Sequence, residues 1–476
     1  MLLLKIALFC LDPMPKLYMG DSGSYLFTAL TGWIPEDRSY LYGFVIRWSS
    51  LWCHSLTGLL LVQLVASTTA VFLFYAVCRS VFYLPPVPSY LAGVVCALDP
   101  LQLLYERYIM AEAISLGLYA GALYFCFRYL RDRRLVDLVF VQVLSVLLIA
   151  FRMSFLMVVQ IDTILLPIVA FAGLIWGSIR AKAAEAAGPW ASLRRCGGHL
   201  LASIAVMFAL HTGYKQLTGF LAHREPAYLH ATGLSLLAAL SPILEPVDSS
   251  DPGLADLIRN GDEFEMRTFY LRNSQRFTPG RLVDRVSQLQ PDPARANQIA
   301  GKAAMHALRR NPVGVAGLAG QTYAIYWDIA AMQRCATADF SFNNPPSDDL
   351  IATLAGTFNV TLDKENPTQS LLQRYYVAAW PYYFLILVAP LLAACTLLFR
   401  FGRGYAFLLF VHISLMLAIS MLFGGESVRY FQPISYALLL ALALLVRRFA
   451  LAKPAAETSL AAERSGEPLG TVQSVS

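Results

Sequence analysis

Apolar windows of about 17 residues or more recur along the chain, and windows of that length are read as membrane-spanning helices. They cover residues 56–78, 87–105, 113–129, 135–151, 153–177 and 200–220, and later 377–399, 405–423 and 431–446. A further apolar run, Met1 to Leu11, opens the chain. At about 1.5 Å per residue, eleven residues cannot cross a hydrocarbon core of about 30 Å. A crossing there requires extension through Tyr18 or residues upstream of Met1. No small-residue cleavage site follows this run, so it is not read as a cleavable signal peptide. The expected fold is an all-α polytopic membrane protein of about ten transmembrane helices, with a long extracytoplasmic segment between the seventh and eighth spans. The expected divisions are an N-terminal bundle over residues 1–220, an extracytoplasmic and interfacial segment over 221–375, C-terminal transmembrane helices over 376–453, and a disordered cytoplasmic tail over 454–476.

Orientation follows from the short loops, because Lys and Arg accumulate on the cytoplasmic side. The basic clusters are Arg128, Arg131, Arg133 and Arg134; Arg180, Lys182, Arg194 and Arg195; Arg400 and Arg403; and Arg447 and Arg448. All four fall on one side if the spans alternate from a cytoplasmic N-terminus, which puts both termini in the cytoplasm and makes a plasma (inner) membrane the expected location. Within the long outer segment, Tyr228 to Leu244 reads as an interfacial helix interrupted by Gly233 and closed by Pro242. Residues 245–310 are polar with helical spacing. Val313 to Met332 is a borderline apolar run containing Gln321 and Asp328. Counting it as a span reverses the sidedness of Arg403 and Arg447, so it is placed at the outer surface. Phe340 to Thr368 reads as a loop.

Composition agrees with the pattern. Apolar residues make up 57% of the 476 and charged residues 14%, against about 25% charge in soluble chains. The net charge of +6 comes from basic residues in short loops and requires no nucleic-acid partner. The eight cysteines show no CxxC or metal spacing. Cys10, Cys78, Cys96, Cys126 and Cys395 sit in or beside apolar runs as small packing residues, while Cys53 and Cys335 could both face outward and pair. No histidine has ligand spacing; His223 and His230, seven apart, come nearest. Asp162 lies about ten residues into the sixth apolar run, where a charge is costly. The simplest expectation is that Met153 to Gln160 lies at the interface and the span begins near Ile161.

Ionisable groups concentrate at the expected outer ends of spans. Gly20-Asp21-Ser22-Gly23-Ser24-Tyr25 and Asp37-Arg38 lie between the first two spans, and Glu106, Arg107 and Glu112 between the third and fourth. Arg152 follows the fifth, and Glu426, Arg429 and Tyr430 precede the last. Carboxylates supply general bases or metal ligands, and arginines clamp phosphate. Each also has a plain structural reading. Asp21 suits the cap of a helix starting near Ser24, and Glu112 suits a local pair with Arg107. Arg429 suits an anchor snorkelling to the interface, and Tyr430 an interfacial aromatic.

The order of these elements resembles the GT-C superfamily, polytopic glycosyltransferases that use polyprenyl-phosphate-linked sugars, of the protein mannosyltransferase and aminoarabinose transferase type. The residues that carry the resemblance are Gly20-Asp21-Ser22 with Tyr25, Glu112 in Met110-Ala111-Glu112 at the start of the fourth span, and Arg429-Tyr430 followed by Pro433 before the last span. The resemblance implies an inverting transfer with Asp21 as catalytic base and with Glu112, Arg152, Arg429, Tyr430 and Tyr25 binding substrate. It implies a polyprenyl-phosphate sugar donor in the lipid bilayer and a glycan, lipid or protein hydroxyl as acceptor. It fixes no cofactor, and a divalent metal at the phosphate is compatible with it. Tyr40 to Arg47 lacks the proline-rich aromatic pattern common in the superfamily, which leaves the acceptor open. The alternatives are an O-antigen-type polymerase or ligase using a lipid pyrophosphate, and a lipid or solute transporter. The early position of Asp21 disfavours the first, and the lack of an internal repeat the second.

Overall fold

The structure, a computed structural model, describes residues 1–180, 189–261, 266, 272, 274–340, 346–362, 369–399, 401–423 and 427–447. Among them the chain is helical throughout, with one isolated bridge and no strand. In chain order the first half comprises α1 (Leu2–Leu11), α2 (Met19–Thr31), α3 (Tyr40–Ile46), α4 (Thr57–Ala76), α5 (Pro86–Ala97), α6 (Pro100–Tyr105), α7 (Glu112–Asp132), α8 (Leu135–Phe151), α9 (Leu156–Arg180) and α10 (Pro189–Ala222). A group of shorter helices follows: α11 (Thr232–Ala239), α12 (Pro252–Asn260), α13 (Ser274–Phe277), α14 (Leu282–Leu289), α15 (Pro293–Arg310), α16 (Pro312–Ile325), α17 (Ile329–Ala338) and α18 (Asp348–Phe358). The chain closes with α19 (Leu371–Ala378), α20 (Trp380–Leu387), α21 (Ala389–Leu397), α22 (Arg403–Phe423) and α23 (Val428–Arg447), the last opening with a 3-10 turn.

Six helices among the described residues are long and apolar enough to cross a membrane: Thr57–Val81, Glu112–Asp132, Met153–Ile175, Trp190–Ala222, Arg403–Phe423 and Val428–Arg447. The pair α20 and α21, bent by 50°, makes a seventh if it counts as one broken span. The chain is thus a multi-pass membrane protein, with six or seven such helices among its described residues; the other apolar runs expected as spans form shorter helices. A hydropathy window averages over breaks in such runs. Residues 87–105 divide at Asp99, whose carboxylate accepts the amides of Leu101 and Gln102 and caps α6, with Pro100 in its first turn. α8 keeps its 17 residues as one unbroken apolar helix.

The first apolar run is also different in kind from a shortened span. α1 has ten residues and a single buried one, Lys5. Its ammonium is fully buried against Glu106, which also accepts Arg107 Nη1 at 2.5 Å and Ser67 Oγ at 2.6 Å. Arg107 in turn donates to the carbonyls of Asp12 and Leu8. A charge buried this deeply needs paired and hydrogen-bonded surroundings, and here they dock α1 against the turn after α6.

Two cores form. The larger joins α2 to α9 with α17 to α23. The smaller lies among α11 to α16, around Leu237, Leu240, Ala300, Ala304 and Ala307. There α11 and α15 cross so closely that a Cβ on Gly233 would lie 2.1 Å from the Asn297 carbonyl oxygen. The Asn297 side chain also accepts the Gly233 amide at 2.6 Å. The stretch expected as an interfacial helix is therefore a short helix packed into a core. The run 313–332 is no continuous helix either: it breaks between α16 and α17, where Asp328 accepts the Ala331 amide at 2.7 Å.

Asp162 lies within a continuous helix that begins at Leu156. It is buried inside α9, within the candidate span from Met153, and accepts from or donates to His412 Nε2 of α22 at 2.9 Å; His412 Nδ1 in turn meets the Tyr119 hydroxyl of α7 at 3.1 Å. Cys53 and Cys335 are not joined by a disulfide. Lys182, Arg400, Glu426, Arg448 and the C-terminal tail lie outside the described residues.

Candidate active site

The segment around Asp21 is the first turn of a helix rather than a loop, and Asp21 does not cap it. α2 begins at Met19 with Tyr18 at its N-cap, so Asp21 stands third in the helix, where the macrodipole favours an acid. The hydroxyl of Ser22 accepts the Tyr18 amide at 2.8 Å and donates to the Ile109 carbonyl at 3.0 Å. Alongside, the Lys16 amide donates to the Arg107 carbonyl at 2.7 Å and the Ile109 amide to the Lys16 carbonyl at 2.8 Å. This short parallel pairing lays the approach to α2 against the approach to α7, so Asp21 and Glu112 face the same space. The glycines flanking Asp21 are not required sterically: a Cβ on Gly20 would meet nothing within 4 Å, and one on Gly23 only Leu350 at 3.5 Å.

Asp21, Tyr25, Glu112, Arg152, Arg429 and Tyr430 all line one cavity of about 170 Å³. The Asp21 carboxylate is shared by two arginines. Arg38 Nη1 donates to Oδ1 at 2.6 Å and Arg429 Nη1 to Oδ2 at 2.8 Å. Arg429 also donates to the Tyr430 hydroxyl at 2.8 Å, and its guanidinium lies over the Tyr18 ring at 4.7 Å and the Tyr430 ring at 4.8 Å. On the opposite wall Arg152 Nη2 stands 3.7 Å from Glu112 Oε1 and over the Tyr430 ring at 5.2 Å. Glu112 therefore pairs with Arg152, not with Arg107. The Nη1 of Arg152 and the Nε of Arg429 are buried with no hydrogen-bond partner, so each guanidinium has capacity left for an acceptor.

Two residues of the cavity wall act on this pair from the side. Arg38 forms a two-point bridge to Asp37, Nε to Oδ1 at 2.9 Å and Nη2 to Oδ2 at 2.8 Å, and Arg276 reaches Asp37 Oδ2 at 3.4 Å. Burial pushes the Asp21 carboxyl up, but Arg429, Arg38 and Arg276 outweigh it and hold it below the ordinary carboxylate range. Asp37 behaves likewise, with burial opposed by Arg38 and Arg276. Burial, then the charges of Asp21 and Glu112, push the Tyr25 phenol upward. The cavity thus holds two ionised aspartates and a neutral tyrosine at neutral pH.

The charges in the wall are four guanidinium groups, from Arg38, Arg152, Arg276 and Arg429, against the carboxylates of Asp21, Asp37 and Glu112. One positive charge is left over. A second, more apolar cavity of about 390 Å³ shares Asp37, Met153, Ser154, Leu229, Arg276 and Tyr430 with the first.

Not every expected residue joins the cleft. Glu106 and Arg107 turn away to hold α1, and Glu426 lies outside the described residues. Arg276 was not a sequence candidate; it sits in a four-residue helix 239 positions from Asp37, with no local motif around it. Among the described residues no three His, Cys, Asp or Glu side chains are grouped to hold a metal ion. Asp21 and Asp37 are each engaged by arginines. No protein family, characterised protein or solved structure matches the chain.

Proposed function

We propose that this chain is an inverting membrane glycosyltransferase that moves a sugar from a polyprenyl-phosphate donor to a hydroxyl of a cell-envelope glycan, lipid or protein on the extracytoplasmic side of the plasma membrane. The observation that carries the reading is the convergence of Asp21, Glu112, Arg152, Arg429 and Tyr430, from four separate parts of the chain, on one cavity. The chain's sequence resemblance to the GT-C superfamily rests on residues from this set.

The excess positive charge supports a phosphate donor. A sugar on a lipid monophosphate is a phosphodiester with one negative charge, which balances the cavity. A pyrophosphate donor brings two, which favours the monophosphate over the polymerase or ligase alternative. The adjoining apolar cavity supports a donor with a hydrocarbon tail, since apolar surface is driven out of water.

In the proposed reaction the acceptor oxygen attacks the anomeric carbon, the bond from that carbon to the phosphate oxygen breaks, and its electron pair leaves with the phosphate. The acceptor's proton passes to Asp21. Arg429 stabilises the departing phosphate through charge-assisted hydrogen bonds. While Arg429 holds Asp21 Oδ2, the carboxylate is ionised but a weak base. A donor phosphate that takes Arg429 to itself releases Oδ2 and raises the basicity of Asp21 when the donor is in place.

The test is turnover of synthetic polyprenyl-phosphate sugars by the purified protein in lipid nanodiscs, read as release of polyprenyl phosphate, alongside envelope glycans of a deletion strain by mass spectrometry. Turnover of one donor and loss of a matching glycan are expected. Absence of turnover across donors, with an unchanged glycan profile, overturns the reading.

A further inference from the structure

The C-terminal end of α17 carries a fully buried carboxylate, Asp339, that lines neither cavity. Four hydroxyl groups surround it. Ser427 donates to Oδ1 at 2.7 Å and Tyr18 at 3.3 Å; Tyr376 donates to Oδ2 at 2.8 Å and Tyr105 at 3.0 Å. Two of these four belong to the residues that aim the proposed site. Tyr18 is the N-cap of α2, two residues before Gly20 and three before Asp21, and its ring supports the Arg429 guanidinium. Ser427 begins the turn that carries Arg429, and its hydroxyl accepts the Arg429 amide at 3.3 Å. Ser427 and Tyr18 also touch each other, hydroxyl to hydroxyl, at 3.3 Å.

We infer that Asp339 is a positioning residue: one carboxylate holds Tyr18 and Ser427 together and so fixes the start of α2 against the start of α23, setting the separation of Asp21 from Arg429. This inference rests on the roles assigned to Asp21 and Arg429 above. A buried carboxylate that receives four hydroxyl donors must be ionised to accept them all, because a protonated acid spends one oxygen as a donor. The hydroxyls of Tyr105 and Tyr376 anchor Asp339 on its far side and meet each other at 3.4 Å. The charge of Arg429, whose guanidinium lies over the Tyr18 ring, acts on it as well.

The energetics separate positioning from simple support. Burial, opposed by the hydroxyl donors and Arg429, pushes the Asp339 carboxyl up to about 6. A carboxyl raised above its unfolded value favours the fold when protonated. That stabilisation is complete below the ordinary value of about 4 and is lost as pH rises through about 6. The ionised Asp339 is therefore less favourable to the fold at neutral pH than the protonated acid, and in a neutral isostere the relief of burying no charge opposes the loss of one oxygen acceptor for the hydroxyls of Tyr105 and Tyr376. The same protonation removes one acceptor position, so activity declines as pH falls through about 6 while the fold holds.

The experiment compares wild type, Asp339→Asn and Ser427→Ala in nanodiscs. For Asp339→Asn we expect kcat to fall at least tenfold, the donor KM to rise, Tm at pH 7 to change little, and the acid limb near pH 6 to disappear. For Ser427→Ala a smaller loss of the same kind is expected, and adding it to Asp339→Asn should bring little further loss because the two share one hydrogen bond. Kinetics within twofold of wild type, or a Tm loss in step with the activity loss, overturns the inference. If the wild-type protein transfers no sugar, the functional reading fails by itself. The inference is then decided by Tm in the cycle of Asp339→Asn with Arg429→Ala: non-additive shifts support it, and additive shifts overturn it.

Discussion

Replacing Arg429 separates its proposed work on the donor from its work in the fold. Its guanidinium holds one oxygen of Asp21, bonds the Tyr430 hydroxyl and stacks on two rings. In Arg429→Ala the Asp21 charge is not orphaned, because Arg38 keeps Oδ1 at 2.6 Å. The loss of stability is then closer to that of a charge-assisted hydrogen bond, about 1.5–3 kcal/mol, than to the roughly 3–5 kcal/mol of a buried ion pair broken outright. A phosphate that loses one such bond weakens by the same amount, which is roughly a 10- to 150-fold rise in donor KM. Arg429→Lys keeps a point charge but not the fork that spans Asp21, Tyr430 and a phosphate at once. It should recover part of the stability and little of the donor binding. The assay is a donor titration in nanodiscs at fixed acceptor, with thermal unfolding on the same samples. An unchanged donor KM in Arg429→Ala, with Tm lowered, would refute phosphate binding and leave Arg429 a structural partner of Asp21.

The other expectations concern the base, the helix that carries it and the membrane bundle. Asp21→Asn should lower kcat by roughly 10²- to 10⁴-fold, the typical contribution of a positioned base, with donor binding retained in a fluorescence titration; a kcat within threefold of wild type would remove Asp21 from the chemistry. Gly20→Ala should raise stability by about 0.5–1 kcal/mol, as Ala does over Gly in a helix, because its Cβ meets nothing within 4 Å and Gly20 does not line the cavity. Transfer by this variant should match wild type, and a loss of activity would mean that substrate approaches the backbone there. His412→Ala removes the hydrogen-bond partner of the buried Asp162 and should lower stability by about 1–3 kcal/mol, the cost of a buried polar group left unsatisfied. Asp162→Asn added to it should restore part of the loss in Tm, and a double variant as unstable as the single one would show that the loss does not come from the unpartnered Asp162 carboxyl.

The helical, membrane-spanning character of the chain was legible because long apolar runs record the solvent directly. The breaks within those runs were not. A hydropathy window passes over a break that one side chain makes, as Asp99 does by capping α6 inside an apolar run. The window also gives no weight to pairing, so Lys5 counts as a charge in a short apolar run and nothing reveals its buried partner, Glu106, 101 positions later. For the same reason Asp162 reads as misplaced until His412, 250 positions away, is seen opposite it.

The site divides along the same line. Asp21, Glu112, Arg152 and Arg429 could be named because each stands at the end of an apolar run, where a charge is conspicuous and where several run ends can meet. Arg276 and Asp339 have no such marker: one lies in a polar segment full of arginines, the other at the end of a short helix among small residues. What selects them is closure of the chain over more than two hundred positions, which brings Arg276 to Asp37 and Asp339 to Tyr18. The consequence is physical as well as methodological. The end-of-span residues supply the charges of the cleft, while the distances between those charges are set by residues that sequence position leaves unmarked. A variant such as Asp339→Asn can therefore alter the Asp21–Arg429 separation with every cavity-lining side chain unchanged.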